Sequence, residues 1–219
     1  MSYRRRKSFK KVGRRSTYRR ASAQSAGVKA LREVRKMQKA TEIKVISAVN
    51  AVAQIPIGGA AIVDGFGPYL SQGTTQTTRI GSRICIKSLA MRFNIKLGAL
   101  EADGASVRLI IAIDRRPENA DAVVTNMLKS DDILAGYQYT PGNKGRFQFI
   151  ADRVFTFSAQ EGEKNQKFFK KFNLPIEYNG NAGTVGDLET NNFLLVGLSR
   201  GNAAAIDIDF GWTFRYTDD

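Results

Sequence analysis

The sequence contains no histidine, and this absence removes the side chain most often used as a general base or a metal ligand. It contains one cysteine, Cys85, which cannot form an internal disulfide and has no histidine to activate its thiol. No glycine-rich turn is followed by Lys-Ser or Lys-Thr, as a phosphate-binding loop requires. We therefore predict that the chain is not an enzyme and has no cofactor, catalytic residue or metal site.

Two aspartate pairs are weaker candidates for a cation shared between subunits. Asp207 and Asp209 lie on one face of a strand pattern, and Asp131 and Asp132 are adjacent. A solvated strand face and a loop or capping position explain the two pairs better.

Long hydrophobic runs are also missing. No apolar run reaches the ~18–20 residues that a membrane-spanning helix needs. The basic N-terminus is not followed by the apolar stretch of about 7–15 residues that marks a secretory signal. We expect neither membrane insertion nor secretion.

Acidic residues are absent from the first twenty residues, MSYRRRKSFKKVGRRSTYRR, of which ten are Lys or Arg. Residues 1–44 contain sixteen basic and two acidic residues, a net charge of +14. Residues 45–219 contain eighteen of each, a net charge of zero. The chain is therefore predicted to consist of a basic arm, residues 1–40, and an electrically balanced domain, residues 41–219.

The arm has the composition of a nucleic-acid-binding segment. Residues 1–27 cannot bury enough apolar surface to offset the entropy of ordering, so we expect disorder in the free protein. Residues 28–39 are predicted to form either a short amphipathic helix or a solvated linker, because apolar residues recur there at every third position. The predicted phosphate-binding residues are Arg4, Arg5, Arg6, Lys7, Lys10, Lys11, Arg14, Arg15, Arg19 and Arg20. The residues predicted to stack on unpaired bases are Tyr3, Phe9 and Tyr18.

Other roles for the arm are possible. RRRK at residues 4–7 also resembles a nuclear localisation signal, which is compatible with nucleic-acid binding. A membrane-surface patch is disfavoured because residues 1–27 have no apolar face to insert. A merely solubilising tail is disfavoured because the cluster prefers Arg to Lys, and Arg suits phosphate.

The balanced domain has the pattern of an all-β protein. Residues 206–217 alternate apolar and polar six times, which predicts a long strand with one buried face. Residues 84–97 change phase near Lys87–Ser88, which predicts a β-bulge. Turn clusters separate the remaining strand candidates. These candidates are residues 42–50, 106–113, 146–158, 167–179 and 192–198. Residues 146–158 form either one strand or two, and 192–198 is predicted to be a central strand. Residues 119–129 are a candidate for a short helix in a loop.

Seven or eight such strands with long connections indicate a β-sandwich or jelly roll. The loops 51–81, 114–145 and 158–167 are the predicted contact regions between subunits. Within the first loop we expect some apolar side chains to be buried between subunits, although packing on their own sheet is the alternative. These side chains are Ile55, Ile57, Phe66, Tyr69 and Leu70.

Several blocks, in order along almost the whole chain, resemble one protein family. They are SQGTTQTTRIGSRICIKSLAMR at 71–92, RLIIAIDRRPENADAV at 108–123, RFQFIADRVFTF at 146–157, KKFNLPIEYNGNAG at 170–183 and FRYTD at 214–218. Together with the basic arm, they resemble capsid proteins of small circular single-stranded DNA viruses that encode a replication-initiator protein, the circovirus-like and geminivirus-like group. The second and third residues and the lack of a Cys/His cluster resemble the circovirus-like members more.

The resemblance implies a single eight-stranded jelly-roll β-sandwich with two four-stranded sheets, preceded by a disordered or partly helical basic arm. It implies assembly into an icosahedral homo-oligomer, most simply of sixty copies, with single-stranded DNA held by the arm inside the virion. It also implies entry into the host nucleus, where the arm would bind nuclear import receptors. Two alternatives stay open: an RNA-virus coat protein of the same fold, and a non-capsid nuclear nucleic-acid-binding protein.

Overall fold

Eight strands dominate the computed structural model, which describes residues 27–33, 42–55, 62–98, 104–118, 120, 122–158, 160–200 and 206–218. Two very short helical segments, Val124–Met127 and the 3₁₀ turn Val185–Asp187, lie in the loops. The strands are β1 (Lys44–Ile55), β2 (Ile62–Gly65), β3 (Arg83–Leu97), β4 (Ala105–Asp114), β5 (Phe147–Phe157), β6 (Glu163–Glu177), β7 (Asn192–Arg200) and β8 (Ile206–Asp218).

The strands form two four-stranded antiparallel sheets. Sheet 1 has the order β1-β8-β3-β6, and sheet 2 has the order β2-β7-β4-β5. Most consecutive strands therefore lie in opposite sheets, and the first and last strands pair with each other. This order is that of an eight-stranded jelly roll, and it confirms the predicted fold class.

Sequence periodicity explains sheet 1. In β8 the residues at even positions are buried from Ile206 to Tyr216, as the six-fold alternation predicts. In β3 the register against both neighbouring strands shifts between Ile86 and Ser88. The predicted bulge is thus confirmed, and it keeps the apolar residues on the inner face on both sides of the shift.

Sheet 2 contains the strands with continuous apolar runs. β7 lies between β2 and β4 and is buried on both faces, which confirms its predicted central position. Residues 147–157 form one strand rather than two, with a register shift against β4 between Ile111 and Ala112. The sequence did not predict β2, which is only four residues long.

The space between the sheets is filled by an aromatic cluster. The ring centroids of Phe193 and Phe214 are 4.8 Å apart, and Phe66 lies within 6.2 Å of Phe193, Phe210 and Phe214. Phe66 and Leu70 come from the loop after β2, and both are almost fully buried in their own domain. The prediction that such groups are buried between subunits is therefore wrong for Phe66, Leu70 and Ile55, while Ile57 lies outside the described residues.

The chain divides into two units, Met1–Glu42 and Ile43–Asp219, and the jelly roll belongs to the second. In the first unit the structure describes helix α1, residues 27–33, on which Val28 and Leu31 are exposed. This helix falls at the start of the segment that was predicted to be partly helical. None of the helices among the described residues is long and apolar enough to cross a membrane.

Candidate nucleic-acid interface

The sequence-predicted nucleic-acid-binding residues all belong to the first twenty residues of the arm. The ten basic residues from Arg4 to Arg20 lie outside the described residues, and so do Tyr3, Phe9 and Tyr18. Their roles therefore stay predictions. The described part of the molecule shows where the chain enters the jelly roll and which surface surrounds that point.

Lys44 fixes the beginning of β1. Its Nζ lies 2.6 Å from Asp218 Oδ2 at the end of β8 and donates to the carbonyl oxygen of Thr78 at 3.1 Å. The Lys44 side chain is almost fully buried, so this ion pair is shielded from solvent. The contact joins the first residue of sheet 1 to its last strand and to the loop before β3.

That loop contains the start of the block SQGTTQTTRIGSRICIKSLAMR (residues 71–92), and a buried arginine in it organises the loop. Arg79 is 1% exposed; its Nε donates to the carbonyl oxygen of Leu70 at 3.2 Å, and its two terminal nitrogens donate to the carbonyl oxygens of Gly81 and Gly180. Its guanidinium lies 4.2 Å from the centre of the Tyr178 ring. The block is thus explained by local structure, since Arg79 satisfies carbonyl groups that would otherwise be buried without a donor.

Tyr178 also holds this loop in place. Its hydroxyl donates to the carbonyl oxygen of Pro68 at 2.7 Å, and burial raises the pKa of the phenol well above its ordinary value. Gly183 has a φ of 78°, and a Cβ atom there would lie 2.7 Å from the backbone nitrogen of Ser71. The two loops therefore pack backbone to backbone at this point, which requires a glycine.

The outer face of sheet 1 carries an open concavity of about 750 Å³, which we call the sheet-1 groove. Its floor consists of small residues on adjacent strands, and it is bordered by Arg92, Arg215, Phe169 and Val49. The small floor residues are Ser47, Ser88, Ala90, Gly211 and Thr213. The four larger residues around this floor are exposed.

The strand register arranges the residues in and beside the sheet-1 groove in three cross-strand rows. In the first row Ser88 lies between Arg215 and Lys171. In the second row Ala90 lies between Thr213 and Phe169, and in the third Arg92 pairs with Lys167. The four basic side chains are exposed and Phe169 is 61% exposed. The basic residues therefore lie on both sides of an exposed aromatic ring.

None of these four basic residues has a hydrogen bond or ion pair with the residues that the structure describes. The charge pattern changes in the next rows, where Lys96 Nζ lies 2.9 Å from Asp209 Oδ2 and Asp207 and Glu163 are nearby. The hydrogen bond that Lys96 donates to Asp209 is the main reason that the pKa of Lys96 is raised. Sheet 1 thus has a basic end, where β1 begins, and a charge-paired end.

Two further charged clusters, both on sheet 2, hold the fold together. Arg108 makes a two-point contact with Asp152, at 2.8 and 2.6 Å, and its remaining nitrogen donates to the carbonyl oxygens of Ile133 and Ala135. The hydrogen bonds from Arg108 are the main reason that the pKa of Asp152 lies below its ordinary value. Tyr137 donates to the same carboxylate at 2.6 Å.

The second cluster is centred on Arg146. Its guanidinium contacts both oxygens of Asp114, at 2.9 and 2.8 Å, and its third nitrogen donates to Glu118 at 2.9 Å. The hydrogen bond to Asp114 is the main reason that the pKa of Arg146 is raised. Arg79, Arg108 and Arg146 are not among the sequence-predicted site residues, although the position of Arg108 inside the apolar run SVRLIIAI is a usable signal.

Cys85 and Asp132 have ordinary local partners. The Cys85 side chain is buried, and its Sγ lies 3.2 Å from Asn173 Oδ1 and 3.1 Å from Lys87 Nζ. Among the described residues no three His, Cys, Asp or Glu side chains come together as a metal site would require. Asp132 accepts a hydrogen bond from the backbone nitrogen of Leu134 at 2.7 Å, as expected of a turn residue.

Comparison with known proteins gives a clear relative. The coat protein of Maize white line mosaic satellite virus is 22% identical over 152 residues, which are 68% of this chain and 70% of the relative. The chain is homologous to a viral coat protein. No family model matches the chain. The narrower resemblance to the single-stranded DNA group stays a prediction.

Several solved structures also match the chain. Desmodium yellow mottle tymovirus matches at 12% identity and a TM-score of 0.37, covering 81% of this chain and 89% of that one. The BFDV capsid protein, solved as a 60-mer, matches at 9% identity and a TM-score of 0.38, covering 82% and 95%. Dimeric latent PorU from Porphyromonas gingivalis matches at 10% identity and a TM-score of 0.38, but this chain spans only 13% of it. Because all three TM-scores are low, the fold is assigned from strand order and register.

Proposed function

We propose that the chain is a structural capsid subunit that assembles with copies of itself into a closed icosahedral shell, most simply of sixty copies. The observation that carries this proposal is the alignment with a viral coat protein over about two thirds of both chains. The jelly-roll strand order and the concentration of the net charge in the N-terminal fifth support it. A neutral domain allows subunits to pack side by side without mutual repulsion, because the positive charge is confined to the arm.

The proposed cargo is the single-stranded DNA genome, held through the basic arm. If about ten basic residues each contact a phosphate, the salt dependence of binding has a slope of about −7. Contacts to phosphates do not distinguish sequences. Packaged RNA is therefore the direct alternative within the same proposal. The arm would also bind nuclear import receptors before assembly, which places the protein in the host nucleus as well as in the virion.

Removal of residues 1–40 tests the role of the arm. Shells that form from the truncated protein should contain little or no nucleic acid, whereas shells of the full chain should contain it. A full-length variant with Gln at the ten basic positions from Arg4 to Arg20 is the control for arm length, and it should also form empty shells. Nucleic acid is measured by absorbance and by digestion with DNase and RNase separately. Equal nucleic-acid content in truncated and full-length shells would contradict the proposal that the arm binds the packaged nucleic acid.

The alternative of a small nuclear nucleic-acid-binding protein makes a different prediction about size. Size-exclusion chromatography with negative-stain electron microscopy should show uniform closed shells if the capsid proposal is right. A monomer or small oligomer under all assembly conditions, with nucleic-acid binding intact, would favour the alternative. If the packaged nucleic acid is degraded by RNase and not by DNase, the cargo is RNA rather than DNA. The proposed capsid role would be unaffected.

A further inference from the structure

We propose that the sheet-1 groove is a second binding site for single-stranded nucleic acid, separate from the arm. In this site Arg92, Arg215, Lys167 and Lys171 contact phosphates, and a base stacks on Phe169. The proposal rests on the proposed nucleic-acid cargo, but it concerns the folded domain rather than the arm. DNA and RNA offer the same phosphates and aromatic bases, so the experiment includes both.

The row order of the groove matches the chemistry of an unpaired strand. Basic residues occupy the first and third rows, and Phe169 occupies the row between them. On β6 itself Lys167, Phe169 and Lys171 lie on one face because they are two residues apart. A single-stranded nucleic acid that crosses these rows presents a phosphate, a base and a phosphate in turn. Each of these groups then meets a complementary side chain.

The floor of the sheet-1 groove leaves room for the base. Ala90 and Thr213, the neighbours of Phe169 in its row, are small, and Gly211 lies beside them in the next row. The adjacent rings of Phe168 and Phe172 pack against the core instead. Phe169 is therefore the aromatic residue of this strand that is available on the outer face, next to the concavity.

Protection of an edge strand does not account for the whole pattern. β6 is the edge of sheet 1, and lysines on an edge strand commonly prevent pairing with other chains. This explains Lys167 and Lys171. It does not explain Arg92 and Arg215, because β3 and β8 are interior strands of the sheet. Four like charges on one face, none with a described partner, form a positive surface that attracts an anionic ligand.

Charge-neutralising variants of the full chain test the site. The variant R92Q/K167Q/K171Q removes one Arg from the groove border and two Lys from the adjacent strand β6. The control R116Q/K129Q/K144Q removes the same residue types from exposed loop positions. Binding of short oligothymidylate and oligouridylate by unassembled subunits is measured against salt concentration. The slope of log K against log salt concentration should be less steep by about 2 in the groove variant, because each lost phosphate contact contributes about 0.7. The control should match the unmodified protein.

Stacking is tested separately. Phe169→Leu should weaken oligonucleotide binding on the order of tenfold, whereas Tyr139→Leu, at another exposed aromatic residue, should leave it unchanged. Ultraviolet crosslinking followed by peptide mapping should place an adduct on residues 168–170 in the unmodified protein. Unfolding curves of every variant show whether the fold is kept.

Three results would overturn the site. Groove and control variants with the same salt dependence would exclude phosphate contacts there. Adducts confined to the arm would exclude stacking on Phe169. If the groove variant binds oligonucleotides normally but no longer forms shells, the groove contacts a second subunit instead of nucleic acid. Each result is distinguishable from failure of the proposed function, in which the full chain forms no shells or its arm binds no nucleic acid.

Discussion

The two sheets of the jelly roll differ in what covers their outer faces. On sheet 2 an apolar layer from residues 122–137, which we call the cover segment, packs on β4 and β7. On sheet 1 the outer face around Ala90 and Gly211 is open and bordered by basic residues. The buried contacts of the cover segment come from Ala122, Val124, Met127, Leu128 and Ala135, which pack on Ile110, Ala112, Leu194, Val196 and Leu198.

This difference shows which strand patterns predict a covered face. β8 alternates apolar and polar residues because only its inner face is buried, whereas β4 and β7 are apolar on both faces because the cover segment lies on them. Charged groups follow the same division. Arg108 and Arg146 tie sheet 2 to its loops, while the basic residues of the sheet-1 groove have no described partner.

The largest expected effect comes from breaking the buried ion pair of sheet 2. Asp114→Asn removes the buried charge that compensates Arg146 and leaves the exposed Glu118 as its ionic partner; the side chains of Arg146 and Asp114 are almost fully buried. We expect the free energy of unfolding to fall by about 4 kcal/mol, as when one partner of a buried pair is lost. Urea denaturation of unassembled subunits measures the change.

Lys96→Met is the matched change on sheet 1, because it breaks the ion pair of Lys96 with Asp209 on an exposed face. An exposed pair contributes little, so this variant should unfold at nearly the same urea concentration as the unmodified protein. Equal destabilisation by the two variants would contradict the division between the sheets.

A smaller effect is expected from truncating apolar side chains. Met127 is 0% exposed in the cover segment, and Met127→Ala should lower the free energy of unfolding by about 3 kcal/mol through lost contacts and a cavity. Phe169→Ala on sheet 1 should change it by less than about 0.5 kcal/mol, because the ring is mostly exposed. If Phe169→Ala were as destabilising as Met127→Ala, the outer face of sheet 1 would be part of the core.

Much of the sandwich could be predicted because its strands follow simple periods. The alternation in β8 and the phase change in β3 gave the right faces and the right bulge position. β2 was missed because four residues are too few to show a period. The cover segment was missed because its apolar residues are irregularly spaced in a loop, where only the three-dimensional path brings them onto sheet 2.

The sequence was less informative about single charged residues. It predicted the basic arm, but it could not separate arginines that are buried from arginines that are exposed. Arg79 and Arg92 are only thirteen residues apart, yet one is buried among carbonyl oxygens and the other borders the groove. Their difference depends on loop packing and on the register between β3, β6 and β8, which composition does not encode.

The smallest expected effect is a change in the acid sensitivity of sheet 2. The hydrogen bonds from Arg108 hold the pKa of Asp152 below its ordinary value of 3.8, so the folded state favours the ionised carboxylate. This contribution to stability is fully present above about pH 4 and is lost as the pH falls through the lowered pKa. Asp152→Asn should therefore be less stable than the unmodified protein near neutral pH, and the difference should shrink steadily below pH 4. Urea denaturation of both proteins from neutral to acidic pH measures it. A constant difference at all pH values would mean that Asp152 acts through its shape and hydrogen bonds alone, and that sheet 2 does not depend on its charge.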